Sequence, residues 1–192
     1  MTVVFNVSYF SVYGHRGDRV TMTEMSWLLI GYGSLLRRDD GVGQRIAAEV
    51  ADWELPGVRS LPRHQLMPEL AESLADVDLA LFVDASLEGN EVRIEPLSAD
   101  SEPTVMGHHL TPSSLLGMTQ WLYERCPQAW LISIPGQEFG LGEGLSESVE
   151  EAMTQVLQQL REWFTAANPL VLDVHSGSLL LPSDLNPPHS VE

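Results

Sequence analysis

Positive charge is what this chain most lacks. Ten arginines and no lysine stand against 27 aspartates and glutamates, a net charge of −17. No basic patch could dominate such a surface, which argues against nucleic acid as a partner. Cysteine is almost as scarce: Cys126 stands alone and cannot form an internal disulfide, so a reducing cytoplasm is the expected setting. No apolar stretch approaches the roughly 20 residues that cross a bilayer, so no membrane partner is expected. Residues 1–10 are apolar and β-prone but lack a basic leader and a small-residue cleavage site, and do not read as a secretory signal. Several catalytic signatures are also missing: His-Glu-x-x-His, the Gly-x-Ser-x-Gly elbow and the Gly-x-x-x-x-Gly-Lys-Ser/Thr loop. Cys126 lies near a helix end with no basic neighbour obliged to activate it, and reads as structural.

What is present is ample for one core. The chain has 192 residues, of which 44% are apolar, enough for a single domain. Periodicity and punctuation predict strands over 26–32, 58–64, 78–84, 91–97 and 129–134. Helices are predicted over 42–53, 68–74, 112–125 and 148–164. The 78–84 run is nearly continuous apolar sequence, the mark of a strand covered on both faces, whereas 91–97 alternates like an edge strand. Thr111 and Pro112 form an N-cap and first-turn proline, and Ser148 and Glu151 have capping-box spacing. This alternation predicts an α/β fold: a three-layer α/β/α sandwich around a mostly parallel, twisted sheet of about five strands. The expected domain runs over 25–167. Residues 1–24 read as an upstream extension and 168–192 as a proline-bearing tail extension.

The most informative segment is Gly31-Tyr-Gly-Ser-Leu-Leu-Arg-Arg-Asp-Asp-Gly-Val-Gly43, between the first strand and the first helix. A glycine-rich turn there ordinarily suits phosphate. Here it carries Asp39 and Asp40, which would repel phosphate and suit a cation or proton transfer. The plainer reading is an N-cap, for which one aspartate suffices. Asp84 ends a buried strand, and a desolvated carboxylate must be hydrogen-bonded, protonated or bound to a cation. His108 and His109 precede the 112–125 helix, where an ordinary surface pair is equally open. In an open α/β sheet these segments meet at the carboxyl ends of the strands, where ligands bind. Carboxylate, carboxylate and imidazole suit a borderline divalent metal such as zinc or nickel. The set is thin, lacks thiolate and would bind weakly by itself. His64, ending the second strand, could reach the same rim.

These residues carry a resemblance. The segment 31–43, Phe82-Val-Asp-Ala85, Gly107-His-His-Leu-Thr-Pro-Ser-Ser-Leu-Leu116 and Ile134-Pro-Gly-Gln-Glu-Phe-Gly-Leu-Gly-Glu-Gly-Leu145 occur in the order found in nickel–iron hydrogenase maturation proteases. The last motif resembles the branch serving bidirectional or NAD-linked hydrogenases. The resemblance spans roughly 25–164 and implies an endopeptidase that trims the C-terminus of the hydrogenase large-subunit precursor. It implies nickel ligands at Asp40, Asp84 and His108, with His109 the competing register. The nickel is expected to arrive within the substrate, and no organic cofactor is expected. Asp39 or Asp40 would assist catalysis as base or hydrogen-bond acceptor. One departure stands out: many relatives carry Asp-Gly-Gly-Thr after the second strand, whereas this chain has Arg63-His-Gln-Leu-Met67 near the cleft. An acidic protease would also favour basic residues in the extension it removes. Two other readings remain open: a noncatalytic nickel chaperone on the same fold, and a nucleotide-binding module, which the aspartate pair disfavours.

Overall fold

Apolar runs of alternating destination build the centre of the molecule. The computed structural model describes residues 25–101 and 110–165, together with the backbone of two short strands, Val171–Asp173 and Ser178–Leu180. In chain order the main elements are β1 (Trp27–Tyr32), α1 (Val42–Asp52), β2 (Val58–Arg63), α2 (Leu70–Ala75), β3 (Leu79–Ser86), β4 (Arg93–Leu97), α3 (Pro112–Tyr123), β5 (Gln128–Pro135) and α4 (Glu147–Thr165). The sheet order is β2-β1-β3-β5-β4, parallel except for β4, which runs antiparallel to β5. This is the expected α/β architecture, with β4 on the edge as its alternation indicated.

The period of two along each strand sends neighbours to opposite layers. Trp27 and Leu29 of β1, with Leu81 and Val83 of β3, join Ile46 and Val50 of α1 and Val156 and Leu160 of α4 in one core. Leu28, Ile30, Ala80 and Phe82 face the other way, against Leu70 and Leu74 of α2 and Leu115 and Leu116 of α3. Trp27 also meets Phe164 edge-to-face at 5.2 Å, which fixes α4 on its layer.

Caps follow the local chemistry, with two corrections. Thr111 caps α3 as expected, its hydroxyl accepting from Ser114 N at 3.1 Å. Neither Asp39 nor Asp40 caps α1. A 3-10 turn, Arg38–Gly41, intervenes and Gly41 is the N-cap. Helix α4 begins at Glu147, so Ser148 lies inside its first turn, and the Ser146 carbonyl accepts from Val149 and Glu150 N–H, both at 3.0 Å. Residues 1–24 lie outside the described residues. So does most of the tail, where Val171–Asp173 and Ser178–Leu180 pair as an antiparallel two-stranded sheet.

Candidate functional site

The chain leaves β1 toward β2 on one side and then crosses back to place β3 on the other. Between β1 and β3 the strand order reverses, and a crevice must open beyond their carboxyl ends. A cleft of about 590 Å³ lies there, bordered by Tyr32, Asp40 and Asp84. Strand register explains the pairing. Ile30 lies beside Phe82 and both belong to the α2/α3 layer. Two residues further along each strand stand Tyr32 and Asp84, facing the same layer.

Asp84 is half-buried there. Its Oδ1 accepts from Ala85 N at 2.8 Å, and the Tyr32 hydroxyl hydrogen-bonds its carboxylate. Burial pushes its carboxyl up to about 6, with the nearby Asp40 charge adding to the rise and the two hydrogen bonds opposing it. Tyr32 is driven upward as well, first by burial and then by the Asp84 charge. Such a carboxylate gains most when a cation replaces its proton.

The glycines of the β1–α1 turn serve close approach. Gly33 has φ of +125°, and a Cβ there would sit 1.9 Å from the Asp40 carbonyl oxygen. A Cβ on Gly43 would sit 2.3 Å from the Val83 carbonyl oxygen, so only glycine lets α1 start against β3. Asp40 closes the turn, its Oδ2 accepting from Ser34 N at 2.8 Å. A backbone N–H that a phosphate would have taken is thus already given to a carboxylate.

Asp39, expected beside Asp40 as a base or acceptor, faces the other way. It is 0% exposed. Its Oδ2 accepts from Gln137 N, Glu138 N and the Ser146 hydroxyl, and its Oδ1 from Ser146 N, all between 2.7 and 2.9 Å. Burial alone would raise its pKa, but these bonds outweigh it and hold the carboxyl below the usual range. The residue is an anchor joining the β1–α1 turn to the β5–α4 loop. Arg38 reinforces the joint with a Glu138 ion pair and an N–H bond to Gly142 O at 3.1 Å.

His108 and His109 lie outside the described residues. The segment that follows them, Leu110 to Pro112, lines the cleft. His64 and Gln65 line it too, so the loop that departs from the family pattern does border the site. Among the described residues no group of three or more metal-binding side chains converges; Asp40 and Asp84 contribute two. Sequence reasoning missed Tyr32 and Arg37. Tyr32 was signalled by its place as the last residue of β1, one strand away from Asp84.

No protein-family model matches this chain, and no curated protein does. Solved structures do. The chain is similar to a [NiFe] hydrogenase maturation protease, HycI, from Thermococcus kodakarensis KOD1, with 26% identity and a TM-score of 0.60, over 73% of this chain and 92% of that one. It is similar to the hydrogenase maturating endopeptidase HybD from E. coli, at 23% identity and a TM-score of 0.54, over 72% and 93% of the two chains. A hydrogenase 2 maturation peptidase from a Thaumarchaeota archaeon gives 24% identity and a TM-score of 0.54, over 71% and 96%. This chain has the α/β fold of the [NiFe] hydrogenase maturation proteases, and that likeness supports peptidase activity.

Proposed function

We propose that this protein is an endopeptidase that removes a C-terminal peptide from the nickel-loaded large subunit of a [NiFe] hydrogenase. It acts in the cytoplasm and serves the bidirectional or NAD-linked class. The observation that carries this reading is the convergence of Asp40 and Asp84 on one cleft, in a fold shared with such proteases. Nickel enters as part of the substrate. Asp40 and Asp84 offer it oxygen ligands, and His108, or His109 in the alternative register, offers nitrogen. Two oxygens and one nitrogen would not select nickel over copper in a freestanding site. A metal presented by the precursor removes that demand and turns recognition into a checkpoint, because unloaded precursor lacks the bridging ligand. Burial raises the Asp84 carboxyl to about 6, and the metal charge brought by the precursor would offset the cost of its buried negative charge.

Of the two aspartates in the turn, only Asp40 borders the cleft. We assign it the role of base. It takes a proton from the attacking water, and the water oxygen bonds to the scissile carbonyl carbon. As the C–N bond breaks, Asp40 returns that proton to the departing nitrogen, which becomes the new N-terminus while the carbonyl side is left as a carboxylate. Asp39 keeps this turn in place. The test is intact-mass measurement of nickel-loaded and nickel-free precursor with and without the protein. Only the loaded precursor should shift to the mature mass. A stable complex of unchanged mass would favour the nickel chaperone instead.

A further inference from the structure

We propose that Arg37 is a specificity-determining residue that receives a carboxylate of the polypeptide lying in the cleft; this rests on the protease reading above. Arg37 borders the same cleft as Asp40 and Asp84, yet pairs with neither. Among the described residues the ion pairs are Arg38 with Glu138 and Arg125 with Asp78. The one hydrogen bond of the Arg37 side chain among the described residues runs from Nε to the Phe139 carbonyl at 3.3 Å. Neither terminal nitrogen of the guanidinium has a hydrogen-bond or ion-pair partner among the described residues. Its neighbour Arg38 is neutralised by Glu138, so of two adjacent arginines one serves the scaffold and the other is left for a ligand.

The backbone that carries Arg37 is held from both sides. Its N–H donates to Ser34 O at 3.0 Å, and its carbonyl accepts from Asp40 N at 3.2 Å. It bridges to Gly142 of the β5–α4 loop, whose N–H reaches Leu36 O at 3.0 Å. Arg38 sits at φ of +49°, a left-handed conformation unfavourable for a side chain with a Cβ. Strain of this kind persists where the surroundings over-determine it, commonly at functional sites. A mounted, unpaired guanidinium matches a carboxylate in a fork of two parallel bonds. A polypeptide offers that group as an aspartate or glutamate side chain, or as its terminal carboxylate.

The cleft then has two poles. Asp40 and Asp84 attract a cation, and Arg37 attracts an anion. A substrate that presents metal at one point and carboxylate at another can lie in only one direction, which sets the bond offered for cleavage. The chain-wide charge of −17 repels acidic segments elsewhere, so the local cation discriminates.

The test compares wild type, Arg37→Ala and Arg37→Lys on nickel-loaded precursor. Three substrates are used: the native extension, the extension with its acidic side chains changed to amides, and the extension with an amidated C-terminus. For wild type, KM should rise about tenfold on the substrate lacking the recognised carboxylate, with kcat nearly unchanged. The substrate affected identifies the source. Arg37→Ala should show that raised KM already on the native extension and should not discriminate, while Arg37→Lys recovers part of the preference. Unchanged KM and kcat for Arg37→Ala on all three substrates would overturn the proposal, as would a loss confined to kcat. Failure of wild type to cut any substrate would instead refute the protease reading. Binding of the isolated extension peptide would still decide the role of Arg37: about tenfold weaker for Arg37→Ala supports it, equal affinity overturns it.

Discussion

Asp84 keeps a half-buried carboxyl against one hydroxyl and one N–H, whereas Asp39 is fully buried and accepts four hydrogen bonds. Their surroundings drive them in opposite directions. The folded pKa of Asp84 lies near 6, above the ordinary value. Its contribution to stability is therefore present below the ordinary carboxylate pKa and is lost as pH rises through 6. At pH 7 its charge is a burden, so Asp84→Asn should melt at the wild-type temperature or higher while precursor processing stops. A melting point several degrees lower would contradict this. Asp39 has a lowered pKa, so its contribution is present above the ordinary value and lost as pH falls through the folded one. Asp39→Ala should cost about 3 kcal/mol at pH 7, because four donors lose a charged acceptor. In urea denaturation, the gap from wild type should narrow as pH falls to 3; a constant gap would mean that charge is not its source. The place of Asp84 at the cleft was legible in the sequence because strand ends mark the ligand side of such a sheet, whereas Asp40 was singled out from Asp39 only by the family resemblance. The job of Asp39 was not, since its partners lie a hundred residues away in the β5–α4 loop.

At the level of elements, the crossing of α1 over β1 and β3 rests on absent side chains. A Cβ on Gly43 would strike the Val83 and Tyr32 carbonyl oxygens, and neither backbone can yield cheaply. Gly43→Ala should destabilise by roughly 1–3 kcal/mol or more through forced displacement of α1. Gly140 has nothing within 4 Å of its added Cβ, and Gly140→Ala should change stability by less than about 0.5 kcal/mol. Chemical denaturation of both variants checks the pair, and equal effects would remove the packing argument. Thr111→Ala should cost about 1 kcal/mol by uncapping α3, read the same way. The Thr111 cap was legible from local chemistry alone. The start of α1 was not, because a left-handed Arg38 and a 3-10 turn displaced the aspartates from the capping position.

For the whole molecule, the five-stranded sheet and its two helical layers close between Trp27 and Thr165. A variant beginning at Met25 should keep the wild-type melting transition and process nickel-loaded precursor at the wild-type rate. Failure to fold would show that residues 1–24 supply part of the domain. No helix among the described residues is long and apolar enough to cross a membrane.

Order of elements, parallel class and the rim carrying the carboxylates were already set by the amino-acid sequence, because burial and local capping leave periodic signatures. Only the tertiary structure decided which aspartate borders the cleft, that Tyr32 stands beside Asp84, and that Arg37 joins no ion pair among the described residues. Those outcomes depend on strand register and on the loop that follows β5, two strands from β1 on the same rim, and neither leaves a period to read.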